Sequence, residues 1–357
     1  MNMNDIEELA SLMQCPSCKN CDSLQVKDGE HTFDISIPLS SKTICCKQCG
    51  EHYPITDDLI PIMWSDGLKR FFLEINQVDE KSDDMNISAN IKVYDDISDD
   101  YHSYTRQNAD IGNRISTAVK KIFNDKKTEG LLHLDYACGP GHVLEWLKPF
   151  GFKRIGLDVS LANLRNSQKN TGCLVICGDA CNMPFADDTF NLVTESSALH
   201  HILDWESVLA ETCRICKSPG GFVLDSEPSQ KQMAWSKLAV AFYNARFPIY
   251  KILSYIQKDK YIFRDTAKAK LNLQAEIHHQ PGTGFPLDSV KSIIEENGFI
   301  VDLVVSPTPD LKSRAKPNWK SIVLNFLSAR NPWNPDYGSF TVVTTKKASY
   351  VTTKKAA

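Results

Sequence analysis

The chain has 357 residues, enough for a sizeable core and about two domains. Its 42% hydrophobic and 24% charged residues exclude a disordered or fibrous chain. A net charge of −4 excludes strong bulk attraction to nucleic acid or an anionic membrane, although it leaves room for a local basic patch. No stretch approaches the ~18 uninterrupted apolar residues of a membrane span. The opening "MNMNDIEELASLM" has acids where a signal peptide carries Lys or Arg, so a cytoplasmic protein is expected.

The first expected unit covers residues 1–65. Six of the 12 cysteines lie between Cys15 and Cys49. In a cytoplasmic chain such a cluster points to metal rather than disulfides. "CPSC" and "CKQCG" form two C-x-x-C knuckles, with Cys15, Cys18, Cys46 and Cys49 as the ligands. Four thiolates suit a closed tetrahedral zinc site, a structural one that stabilises a unit too small to fold alone. Cys45 is adjacent to Cys46, but the C-x-x-C register favours Cys46. Cys21 is spare. Cys213 and Cys216 also stand in C-x-x-C, but within a helical stretch, and read as buried.

An acidic linker is expected over residues 66–92. From Leu131 apolar runs alternate with helix candidates: "LLHLDY", a helix over His142–Phe150, "RIGLDVS", a helix over Leu161–Lys169, "CLVICGDA", "FNLVTES", a helix over Trp205–Cys216 and "GFVLDSE". This alternation predicts a parallel sheet with helices on both faces. The stretch from Lys231 to Gln257 is helical in period and aromatic, with a break expected at Pro248. It lies in a substrate-side insertion around 229–285. A further helix, the strand "FIVDLVVS", the helix "WKSIVLNFLSARN" and the late strand "SFTVVTT" complete a domain over 93–347. Residues 348–357 read as a frayed tail.

An open parallel sheet binds its ligand at the carboxyl ends of its strands. Three ends here carry acids and small residues: "LDYACGPG" with Asp135, "GLDVS" with Asp158, and "CGDACNMPF" with Asp179. Asp158 stands about twenty residues after the glycine loop, where an acid can accept both hydroxyls of a ribose. The loop lacks the third glycine of the dinucleotide fingerprint, so it suits an uncharged or zwitterionic group rather than a pyrophosphate.

These stretches, with "GDACNMPFADDTFNLV" and "ALHHILDWESVLAETCRICKSPGG", resemble the motifs of the class I S-adenosylmethionine-dependent methyltransferases, in order and at the expected spacing. The resemblance runs from about Tyr94 to Thr345. It implies a Rossmann-like α/β sheet with a late antiparallel strand. It also implies that Ala137, Gly139 and Gly141 pass close to the methionine part of the cofactor, with Asp135 near its amino group. Asp158 and Val159 would hold the ribose, and Asp179 and Ala180 would frame the adenine. Tyr94 and Tyr101 would close over the cofactor. Ala137 replaces the loop's first glycine, Asn191 stands where an acid is common, and the turn Cys216–Gly221 has one extra residue. The segment "GEHYPITDDLIPIM" resembles the end of the Trm112-like zinc ribbon that precedes some methyltransferase domains.

Methyl transfer from a sulfonium needs a positioned nucleophile and a base only where a proton must leave. The candidates beyond the strand ends are Glu195, His200 and His201, then Glu227, and His278 and His279 in "EIHHQPG". Each has a plainer reading: His200 and His201 as turn stabilisers, Glu195 as a cap, His278 and His279 as loop surface. The favoured substrate class is a small-molecule metabolite methylated at O, N or C, since aromatic side chains suit a modest pocket. An RNA base methyltransferase that binds RNA through the ribbon is the alternative, although the ribbon lacks a basic stripe. The third reading is a non-catalytic protein that uses the ribbon to hold a partner.

Overall fold

The computed structural model describes residues 2–29, 37–64, 91, 109–245 and 275–347. Nearly all of the acidic linker, Tyr94, Tyr101, residues 246–274 of the insertion and the tail lie outside the described residues.

Helix α1 (Met3–Ser11) starts with a capping box, in which Asn2 and Asp5 satisfy each other's backbone N–H groups. Its buried face is Ile6, Leu9 and Ala10. Strands β1 (Leu24–Asp28), β2 (Leu39–Cys46) and β3 (His52–Thr56) follow as an antiparallel sheet in that order. The next strand, β4 (Ile62–Met63), does not join them.

The remaining elements alternate as the sequence predicts. Helix α2 (Ala109–Phe123) leads into β5 (Leu132–Tyr136), α3 (His142–Trp146), β6 (Lys153–Asp158), α4 (Leu161–Thr171) and β7 (Leu174–Gly178). Then come β8 (Phe190–Ser196), α5 (Trp205–Ile215) and β9 (Cys216–Pro228). Two short helices, α6 (Gln230–Met233) and α7 (Lys237–Asn244), precede the undescribed stretch. Beyond it lie α8 (Leu287–Glu296), β10 (Phe299–Val305), α9 (Trp319–Leu327) and β11 (Ser339–Lys346).

Eight strands form one sheet in the order β10-β11-β9-β8-β5-β6-β7-β4. All its pairings are parallel except the two that β11 makes. The fold is therefore the class I methyltransferase sheet, with its late reversed strand. Period-2 alternation splits the side chains between two layers. Phe222 and Leu224 of β9 join the core under α5 and α8, while Val223 between them joins the core under α2 and α3.

The amino-terminal unit is not separate from this sheet. β4 pairs in parallel with β7 and extends its edge. Trp64 is buried beside it, its indole N–H 3.3 Å from Cys177 Sγ. Ile6, Leu9, Met13 and Tyr53 lie in the same apolar core as Phe185 and Phe190. The boundary expected at residue 65 thus falls after a strand shared with the larger unit.

Three local expectations change. The helix over His142–Phe150 is α3 followed by a 3-10 turn, Lys148–Phe150, because Pro149 has no N–H to continue the α ladder. The helix expected from Lys231 breaks at Ala234–Ser236, well before Pro248. There Ser236 accepts the Ala239 N–H and starts α7 as an N-cap. The extra residue in the Cys216–Gly221 turn is absorbed by a register shift, in which Phe190 and Leu192 face Cys216 and Gly221.

Candidate active site

β5 lies between β6 and β8. The chain winds toward β7 on one side of it and toward β9 on the other, so the crevice at its carboxyl end is the topological switch point. The loop 137–141 sits there. Ala137, Gly139 and Gly141 have φ of 48°, 51° and 92°. The two glycines serve different purposes. A Cβ on Gly139 would meet nothing within 4 Å among the described residues, so among them its face is open to a ligand. A Cβ on Gly141 would come within 2.7 Å of Ser167 Oγ and 2.8 Å of Thr171 Cγ2, so that glycine lets the loop pack on α4.

Asp158, at the end of β6, fixes the loop. Its carboxylate accepts the Gly139 N–H and the Ser160 N–H, each at 2.8 Å. Behind the loop runs a buried chain that sequence reading missed. His133 Nε2 is 2.7 Å from Thr194 Oγ1, and that hydroxyl donates at 2.7 Å to Asp135 Oδ1. The single hydroxyl hydrogen goes to Asp135, so His133 must carry its own hydrogen on Nε2. Burial pushes His133 down to about 3, which keeps it a neutral donor. Alternating polar residues inside two apolar strands were the available signal.

Asp135 Oδ2 is buried and has no hydrogen-bond partner among the described residues. Burial first, and then the charges of Glu195 and Asp158, raise this carboxyl well above the usual range. A cation placed against it would relieve both effects. Asp179 starts the 3-10 turn Ala180–Asn182 by accepting the Cys181 N–H at 2.8 Å. Burial raises its carboxyl as well. Val159 is half-buried and Ala180 is buried beside these acids. An open glycine face, an unpaired buried carboxyl oxygen and a cluster of acids fit a cationic, methionine-bearing nucleoside.

The second half of the site lies past β8 and β9. Glu195 accepts the N–H groups of Ala198 and Leu199, which shapes the 3-10 turn Leu199–His201. Glu227 accepts the Leu199 N–H at 3.2 Å and lies 3.1 Å from His200 Nδ1. Burial, together with the facing carboxyl, raises Glu195 well above its usual range; burial carries Glu227 to about 7. His200 is pushed down to about 3, mainly by burial and secondarily by His279. The short contact between His200 and Glu227 therefore joins a neutral imidazole to a carboxyl group rather than two ions, and it sets the ring's tautomer where Nδ1–H donates to the carboxyl. That tautomer leaves the lone pair on Nε2.

The structure brings the predicted histidines together and separates their roles. His201 donates its Nδ1–H to the Ala275 carbonyl at 3.1 Å and so anchors the start of the stretch 275–347. The His279 ring lies 5.2 Å from that of His200, and its Nδ1 is 3.7 Å from Glu276. His278 packs on Phe285 with ring centres 5.1 Å apart.

In the amino-terminal unit Cys15, Cys18, Cys46 and Cys49 place their sulfurs within 4.8 Å of one another. Cys15 and Cys49 are 3.6 Å apart, and Cys18 and Cys46 3.7 Å. A tetrahedron of thiolates about 2.3 Å from zinc has edges of about 3.8 Å, so these distances match. Ser23 Oγ lies 3.2 Å from Cys46 Sγ and Tyr53 Oη 3.1 Å from Cys15 Sγ, which orients two of the four sulfurs. Cys45 stands outside the cluster.

Residues 134–224 match the family model described as a methyltransferase domain. A demethylmenaquinone methyltransferase from Thermobifida fusca is 34% identical over 118 residues, 30% of this chain and 50% of that protein. Another, from Staphylococcus aureus, is 27% identical over 191 residues, 51% of this chain and 73% of that protein. The solved S-adenosylmethionine-dependent methyltransferase of Mesorhizobium loti is 18% identical, with 64% of this chain and 96% of that chain covered at a TM-score of 0.40. The chain thus spans half the length of the Thermobifida relative. The part of the chain that matches the methyltransferase-domain model, residues 134–224, is the part that builds the crevice.

Proposed function

We propose that the protein transfers a methyl group from S-adenosylmethionine to an O, N or C atom of a small-molecule metabolite. The observation that carries this reading is the acid-lined crevice at the switch point, where Asp135 keeps an unpaired oxygen beside an open glycine face. Relatives named for demethylmenaquinone support a small-molecule acceptor over RNA. Bound there, the cofactor supplies an electrophilic methyl on a sulfonium.

The chain's own residues do the rest. Asp158 and Val159 hold the ribose, Asp135 the amino group, and Asp179 and Ala180 the adenine, with Ala137, Gly139 and Gly141 against the methionine part. Tyr94 and Tyr101, outside the described residues, are proposed to close over it. His200 is the candidate to accept the acceptor's proton on Nε2; since burial disfavours the charged ring, this role requires Glu227, 3.1 Å from Nδ1, to stabilise the charge as it forms. Glu195 shapes the turn that carries His200. His201 and His279 flank its ring, at 4.2 and 5.2 Å between ring centres. A structural zinc at the four thiolates completes a Trm112-like ribbon docked on the sheet edge.

Labelled-methyl transfer into a metabolite extract and into bulk RNA tests the proposal. Label is expected in the small-molecule fraction, and His200→Ala is expected to slow its appearance by roughly 10²–10³-fold. Label in RNA would reject the acceptor class. An unchanged rate in the variant would remove His200 from the chemistry.

A further inference from the structure

Two helices beside the site turn apolar faces outward. In α7 Leu238 is 62% and Phe242 49% exposed, and Ala241 and Ala245 are exposed with them. These four positions have the i, i+3, i+4, i+7 spacing of one helix face, while Ala239 is buried behind them. In α9 Trp319 is 66% and Phe326 70% exposed, with Ile322 and Val323 half-buried on the same stripe. Its inward side is Leu324 and Asn325. The helices are joined end to end, since the Ser236 hydroxyl donates to the Leu327 carbonyl at 2.8 Å and the Ser236 N–H donates to Ser328 Oγ at 3.1 Å. Trp333, just after α9, is also 66% exposed. Exposed apolar residues grouped in this way mark an interaction surface.

Position and charge say what the surface meets. Pro228 of β9 pairs with Ser339 of β11, and Val305 of β10 pairs with Phe340. The end of β9, the end of β10 and the start of β11 therefore lie at one end of the sheet, the end at which Glu227 stands and beyond which the turn with His200 follows β8. Helix α7 follows the first of these points, and α9 lies in the connection between the other two, so both helices belong to segments that leave or enter the end of the sheet where Glu227 stands. The approach to α9 is basic: Lys312, Arg314, Lys316 and Lys320 are exposed, against Asp310 as the one acid between 306 and 333. Arg314 is partly offset by Asp336 at 2.6 Å. Lys237 is exposed at the start of α7. In a chain of net charge −4 this is a local reversal of sign.

We infer that α7 and α9 dock the protein on the surface of an anionic bilayer, and that the methyl acceptor is a lipid-soluble molecule drawn from it. Exposed Trp and Phe on short helices bordered by Lys are the chemistry of the headgroup boundary. No helix among the described residues is long and apolar enough to cross a membrane, so the mode is surface docking. The acceptor class rests on the methyl-transfer reading; the docking does not.

Co-sedimentation of the full, zinc-loaded chain with vesicles tests it. Binding is expected to vesicles of phosphatidylcholine with phosphatidylglycerol, and to fall several-fold when salt is raised. The combined variant Phe242→Ser, Trp319→Ser and Phe326→Ser, all exposed side chains, is expected to bind at least about tenfold more weakly with an unchanged melting curve. Lys316→Glu with Lys320→Glu should lose about tenfold or more on anionic vesicles alone. Absence of binding to anionic vesicles at low salt, or undiminished binding by the first variant, overturns the inference. So does a dimer in light scattering that the first variant splits, since the face would then join two copies. Vesicle binding is read without methyl transfer, so its failure and that of the activity are distinguishable.

Discussion

Treating the protein with a strong zinc chelator is expected to lower its melting midpoint by more than about 10 °C and to open the first 65 residues to proteolysis. Structural zinc contributes on the order of 10–16 kcal/mol in small metal-dependent units, which lack a preformed site when unfolded. The four sulfurs already lie within 4.8 Å of one another, and the two pairs at 3.6 and 3.7 Å match the edge of a zinc tetrahedron. Loss of the metal leaves four thiolates together, two of them buried. The damage should not stay local. α1 and Tyr53 share the core of the large sheet, and β4 forms its edge beside β7. Cys46→Ala should reproduce the effect, whereas Cys21→Ser should not, since Cys21 lies outside the cluster. Zinc release measured with a chromogenic chelator checks the stoichiometry. A protein that releases no zinc, or melts unchanged in chelator, contradicts this part of the account.

Arg114→Ala is expected to destabilise the protein by about 3–5 kcal/mol, read as a shift in the denaturant midpoint. Arg114 of α2 donates to both oxygens of Asp225, from Nε at 2.9 Å and from Nη2 at 2.8 Å, and reaches Ser226 Oγ at 2.8 Å. Asp225 is fully buried, and Thr341 also donates to it. Removing the guanidinium strands a buried carboxylate. A double change, Arg114→Met with Asp225→Leu, removes both charges and should recover most of the loss. The pair also bears on the site, because the Ser197 N–H bonds the Asp225 carbonyl where β8 and β9 end. A shift below about 1 kcal/mol in the single variant would mean that water reaches Asp225 and screens it.

Most of the fold was legible because parallel strands buried on both faces read as apolar runs. β5, β6, β7 and β8 stand where those runs lie. β4 escaped notice: two residues flanked by Pro61 and Trp64 carry no period, and their strand identity comes only from pairing with β7. The break before α7 was hidden because Trp235 keeps the apolar rhythm going while Ser236 caps a new helix. In the site, acids at strand ends were visible one by one, and so were the cysteine knuckles. Partnerships across elements were not. Nothing in the sequence ties Thr194 to both His133 and Asp135, or Arg114 to Asp225 across 111 residues. Glu227 and His200 were each noted; their contact needed β8 and β9 to be neighbours.

The central claim is that the crevice binds S-adenosylmethionine through the acids at the ends of β5 and β6. Calorimetric titration of the zinc-loaded protein with S-adenosylhomocysteine tests it most directly, with Asp158→Ala as the comparison. Saturable binding with one site per chain, lost in a variant that still melts cooperatively, is the predicted result. An unmodified protein that shows no heat of binding and no ligand-induced rise in melting midpoint would contradict it.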